Sequence, residues 1–189
     1  MTNLTTNPYG VEARHASSID LVDGDCPLSF TRSDLVRYAG PDQIIATALM
    51  FQMFTRAFDE LKSDHLIDRS NVKMQVGFPG PGVLDCIELV LRGRTTNQAN
   101  ISIKTEDLPM EAPEALVGRF YFEFSYDGKR IALWPTETYI TEEFRSMVKQ
   151  FQPRKGSLED QARYQAFKHT MVATLMATNP KELFKVLHM

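Results

Sequence analysis

Cysteine is almost missing from this chain: two residues in 189, Cys26 and Cys86, with no CxxC spacing. That excludes a disulfide framework and a zinc ribbon, and fits a reducing cytoplasm. Long apolar runs are missing too. The longest, Ile44 to Phe54, is broken by Thr47 and Gln52 and falls well short of the roughly 20 residues a membrane-spanning helix needs. The first twenty residues hold no basic cluster followed by an apolar core, so the chain is expected to carry no secretory signal. Internal repeats, low-complexity tracts and Gly/Ser linkers are absent as well. Neither end is strongly charged: residues 141–189 carry net +3 and residues 1–140 net −6. Arg154, Lys155, Arg163 and Lys168 lie scattered among acids without interleaved aromatics, which reads as a solvated helix face and gives no nucleic-acid footprint. What remains is 43% hydrophobic and 24% charged, enough for one domain with a sizeable core.

Along the chain, residues 1–29 are rich in Thr, Asn, Ser and Asp, with turn dipeptides Asp23-Gly24 and Cys26-Pro27, and are expected to form an irregular N-terminal arm. Residues 30–189 are expected to form a single domain. Thr31 or Ser33 caps a short helix to Tyr38, stopped by Gly40-Pro41. From Asp42 to Lys62 apolar residues cover most of a helix, so that helix is read as buried on most sides. Val72, Met74, Val76 and Phe78 alternate as in a half-buried strand. Pro79-Gly80-Pro81-Gly82 ends it, and Val83 to Arg92 reads as a helix leading to a strand at Asn100–Lys104, a crossover unit of expected right-handed sense.

The firmest local signal is Gly118–Pro135, two alternating runs joined at Asp127-Gly128, a pair suited to the positive φ angles of a two-residue hairpin turn. Pairing Tyr126 with Lys129 puts Phe122, Phe124, Ile131 and Leu133 on one face, and Tyr121, Glu123, Ala132 and Trp134 on the other. An aromatic pair on that second face is expected to be buried by a partner, so a homodimer is expected. Two helices then follow, Thr141–Gln152 and Ser157–Ala177, and a last short one behind Asn179-Pro180. The fold class is α+β: a sheet of about four strands, mainly antiparallel, with a crossover helix, helices over one face and a helical C-terminal extension.

Chemistry is sparse. The Lys-Ser/Thr pair of a phosphate loop is missing, as are HExxH, EF-hand and Gly-x-Ser-x-Gly patterns. His65 falls in a polar loop and His188 near the end, while His169 flanks a helical stripe of Tyr164, Phe167, Met171 and Leu175. The segment Phe78 to Glu88 is the most informative. It sets Asp85, Cys86 and Glu88 in the first turns of a helix, where free N–H groups and partial positive charge favour a carboxylate, a thiolate or an anionic ligand. The same residues equally suit a tight turn, with Asp85 answering the helix dipole and Cys86 a small buried hydrophobe.

Several residues resemble the E-subunit family of formylmethanofuran dehydrogenase over roughly residues 30–187. They are Tyr38-Ala39-Gly40-Pro41 before the long helix, Asp85-Cys86-Ile87-Glu88, then Gly93, Thr95 and Asn100, Gly118-Arg119-Phe120, Arg130-Ile131-Ala132-Leu133, and Lys181 to Val186. The resemblance implies an α+β domain that serves C1 or redox metabolism and holds a zinc-type metal ion. The chain departs from that pattern where it matters. The family's His-Gly-His and Cys-Pro-Gly become Ala39-Gly40-Pro41 and Asp42-Gln43-Ile44, and a family cysteine becomes Gly82.

Three functions follow as expectations. The first is a small-ligand or metal-binding protein, accessory to a redox or C1-metabolism enzyme, with a cleft at Tyr38, Gly40, Gly80, Gly82, Asp85 and Cys86. The second is an enzyme using Cys86, or a metal held by Asp85, Cys86, Cys26 and His15 with Glu88 as a further ligand. The third is a homodimeric adaptor without chemistry.

Overall fold

The structure, a computed structural model, describes residues 18–151 and 156–189. Strand β1 (Ile19–Asp23) pairs antiparallel with β2 (Cys26–Phe30) across a tight turn at Gly24, whose φ is +59°. Where an irregular arm is expected, this ordered hairpin sends Ile19 and Leu21 into the core. It is fastened by the Val22 N–H, which donates to the Ile67 carbonyl at 2.9 Å, and by an Asp23–Arg69 ion pair. Its period-two alternation is hidden in a polar composition, because the outward side of a two-stranded hairpin is necessarily polar. His15 lies outside the described residues.

Helix α1 (Arg32–Ala39) starts at a full capping box: Thr31 accepts from the Asp34 backbone N–H, and the Asp34 carboxylate accepts from the Thr31 backbone N–H at 2.9 Å. Gly40, at φ +87°, turns the chain into α2 (Ile44–Leu61). Thirteen of the 18 residues of α2 are buried, which makes it the axis of the domain. It lies against the sheet strands β5 (Phe122–Tyr126) and β6 (Lys129–Pro135) and is flanked by α1, α3 (Pro81–Leu91) and α5 (Leu158–Ala177). The polar Gln52 within it is 1% exposed and donates to the carbonyls of Leu175 (2.7 Å) and Thr178 (3.0 Å), satisfying the end of α5.

Strand β3 (Lys73–Val76), helix α3 and strand β4 (Ile101–Ile103) form the expected crossover, with β3 and β4 parallel at Met74↔Ile101 and Val76↔Ile103. The β5–β6 hairpin has the register expected from its turn: Tyr126↔Lys129, Phe124↔Ile131, Phe122↔Leu133 and Glu123↔Ala132. Asp127 and Gly128 take φ +48° and +75°, the two positive angles that fix it. Helices α4 (Glu142–Phe151), α5 and the short α6 (Pro180–Leu183) follow.

The chain then departs from expectation. Helix α6 stops at Leu183, and Phe184–His188 forms β7, antiparallel to β6 with Leu133↔Val186 and Ala132↔Leu187. The larger sheet therefore has five strands, ordered β4-β3-β5-β6-β7 and mixed in direction, in place of about four. Phe184 and Val186 point to the core side while Lys185 and Leu187 do not, a strand alternation that a capped helix just upstream disguises.

This chain covers one face of the sheet fully and the Tyr121–Trp134 end of the other. Phe122, Phe124, Ile131 and Leu133 join the main core. On the other face Tyr121 and Trp134 stack with ring centroids 6.2 Å apart, under Leu108 and Ala112 from the segment between β4 and β5. Tyr121 is 5% and Trp134 9% exposed, so this chain itself buries the aromatic pair that a partner was expected to cover. No helix among the described residues is long and apolar enough to cross a membrane.

Candidate functional site

The 79–82 turn does sit at the edge of a cavity, but the two side chains expected to face that cavity do not. Cys86 is 1% exposed and belongs to the main core. Burial, with the neighbouring Asp85 carboxylate second, pushes its thiol above the ordinary range. A lowered, reactive thiol at the helix start is therefore corrected: the loss of hydration outweighs any help from the dipole, because Cys86 lies past the first turn of α3. Titration of native protein with a thiol-specific chromogenic reagent is expected to report one reactive cysteine, the exposed Cys26, and the second only after unfolding in denaturant.

Asp85 is part exposed and pairs with Arg94 at 3.6 Å. Glu88 is buried beneath the turn that follows α3, accepting from the Arg94 backbone N–H (2.7 Å) and the Thr95 hydroxyl (2.6 Å) and lying 3.6 Å from Arg92. Burial works to raise its pKa, but those hydrogen bonds and Arg92 outweigh it and hold the carboxyl below the usual range. Glu88 is thus a lock for the 92–97 turn. Tyr38 is 52% exposed on α1, and Cys26 is exposed on the hairpin. Among the described residues no three His, Cys, Asp or Glu side chains come together as a metal site.

The cavity, about 300 Å³, lies between the start of α2, the 78–83 turn, residues 115–120 and the helices α4 and α5. Of the six residues expected to form a cleft, Gly80 and Gly82 line it; Tyr38, Gly40, Asp85 and Cys86 do not. Gly82 is there because α3 and α2 touch: a Cβ on it would lie 2.6 Å from Gln43 Oε1 and 2.8 Å from the Ala46 Cβ. The apolar wall is a run of rings, Phe78 to Phe120 at 4.9 Å and Phe120 to Phe144 at 6.1 Å between centroids.

Against that wall stand a few polar groups. Lys168 is 3% exposed, with its ammonium 3.8 Å from the Asp42 carboxylate and 5.3 Å from the centre of the Tyr164 ring. Burial, then the Asp42 charge, raises the Tyr164 pKa, so its hydroxyl stays protonated at neutral pH. Arg145 is held at the rim by Glu142, at 2.8 Å, and by the Ile140 carbonyl.

The sequence pattern places Lys168 on a solvated face. In fact the buried side of α5 runs Tyr164, Lys168, Val172, Leu175, one residue out of phase with the stripe through Phe167 and Met171. Spacing of four, four and three from Tyr164 was the available signal, but a lysine inside such a stripe is discounted unless the opposing wall is known.

The metal ion that the family resemblance implies can be tested on these residues. Asp42, in the segment that the resemblance aligns with metal ligands, is paired with Lys168, and Gln43 fills the space beside Gly82. One carboxylate already answered by a buried ammonium, and one amide, do not fit a zinc-type ion, which takes three or four Cys, His or carboxylate donors. Compared with known proteins, the chain matches no family model, no curated protein and no solved structure.

Proposed function

We propose that this protein binds a small, mainly apolar molecule in the cavity between α2, the 78–83 turn and α4–α5. The observation that carries the reading is the cavity itself, about 300 Å³, walled by aromatic rings and provided with a few polar groups, among them a buried lysine beside a half-exposed aspartate. Ligand sites have this composition: concave, apolar, with few polar groups to orient the guest, and at volumes upward of about 300 Å³.

Kinship with the E-subunit family of formylmethanofuran dehydrogenase is part of the same proposal. It is supported by the contact of Gln43 with Gly82, which brings together two segments that the resemblance singles out separately. In this reading the chain keeps that family's scaffold and has exchanged its metal for an organic guest.

Titration with the uncharged fluorescent probe N-phenyl-1-naphthylamine tests the reading. Saturable binding at one site is expected. Val148, part buried on α4 and lining the cavity, supplies the control. Val148→Trp is expected to weaken the probe at least about tenfold by occupying its space, with the urea midpoint nearly unchanged. Absence of saturable binding, or equal binding by the filled variant, would remove the cavity from consideration.

A further inference from the structure

We infer that the guest of this cavity is a small monocarboxylate, its apolar body against Phe78, Phe120 and Phe144 and its anionic head at Lys168. The inference rests on the cavity being a binding site. It adds the sign of the charge.

Lys168 occupies a position on α5 flanked along its buried face by Tyr164, Val172 and Leu175, where an apolar side chain of similar volume would pack without desolvating a charge. A cation kept there at 3% exposure has a field that water screens weakly. Its carboxylate neighbour Asp42 stands 3.8 Å away and is 47% exposed, so solvent weakens the negative member of the pair far more than the positive one. Among the described residues the lining carries Lys168 and Arg145, the second held by Glu142, against the carboxylate of Asp42. Tyr164, protonated at neutral pH, adds a hydroxyl donor to the same lining. A carboxylate head is therefore favoured, a neutral head is tolerated, and an ammonium head meets the less screened charge of its own sign.

Three competitors with one naphthalene body and different heads test this: 2-naphthoate, 2-naphthalenemethanol and 2-naphthylmethylammonium, each displacing N-phenyl-1-naphthylamine. The acid is expected to bind about tenfold more tightly than the alcohol, the range of a charge-assisted hydrogen bond, and the ammonium more weakly than either. In Lys168→Met the acid should lose that advantage, while Lys168→Arg should keep most of it. The neutral probe reports whether each variant retains the cavity, and the wild-type order decides alone if Lys168→Met does not fold. Equal binding of acid and alcohol, or tightest binding of the ammonium, overturns the charge assignment while leaving the cavity a site. Failure of the neutral probe to bind the wild-type protein at all overturns the site and this inference with it.

Discussion

Truncating Phe124 to alanine is expected to lower the unfolding free energy by about 4 kcal/mol, read from the urea midpoint at constant slope. Phe124 is fully buried at the centre of β5, between Met74 on β3 and Ile131 on β6. Its ring meets Phe54 of α2 edge-on at 6.0 Å, so it joins the sheet to the central helix. Neither neighbour can collapse into the space: β5 is hydrogen-bonded on both sides, and α2 is gripped along most of its surface. The deletion then costs the lost transfer energy together with most of a cavity term. A loss below about 1.5 kcal/mol would mean that α2 settles onto the sheet and that this junction is softer than its packing implies.

The second large effect belongs to Gly118, where alanine is expected to cost at least about 2 kcal/mol. Its φ is +68°, and an added Cβ would run into the carbonyl oxygen of Gly77, with Thr105 Cβ at 3.1 Å behind it. The neighbouring Arg119 N–H donates to that same carbonyl at 3.2 Å, so the clash cannot be relieved without breaking the join between this segment and the end of β3. The segment is further pinned by the Arg119 guanidinium, which donates to the Ala112 carbonyl at 2.6 Å. Two regions move with it: Leu108 and Ala112 over Trp134, and Ala115 to Val117 at the cavity. Trp134 is the single tryptophan of the chain, so its emission should shift to the red in Gly118→Ala while binding of the neutral naphthyl probe weakens. Unchanged emission would show that the segment finds another way across the sheet.

Both positions illustrate which parts of this molecule can be read from its sequence. The β5–β6 register was legible because a two-residue turn and a period-two pattern dictate it within about eighteen residues. The cap of α5 was legible in Ser157 and Asp160, and that of α1 as far as a choice between Thr31 and Ser33, because a cap is a contact over three residues. Strand β7 was not, since among the described residues it pairs with β6 alone and nothing near Phe184 announces it; the Asn179-Pro180 cap speaks for helix, and truthfully, but for just one turn. The cover over Tyr121 and Trp134 was equally hidden, because an aromatic face looks the same in sequence whether a loop or a partner buries it.

The site shows the same division. Gly80 and Gly82 were legible as a special turn, yet the side chains chosen to go with them, Asp85 and Cys86, follow along the helix and have rotated away from the cavity. Lys168 and Asp42, far apart in sequence and only 3.8 Å apart in space, could be joined only by knowing how α5 lies on the start of α2. A helix start told where the chain turns; only the packing of distant helices told which way the hollow faces.

The strand β7 also bears on how the cavity is walled. Helices α4 and α5, which form one wall of the cavity, belong to an excursion that leaves the sheet at the end of β6 and returns to it as β7, side by side with its point of departure. Such an excursion is a strap buckled at both ends. Both of its buckles lie on neighbouring strands of one sheet, so the helical wall of the cavity is fixed to the five strands at each end.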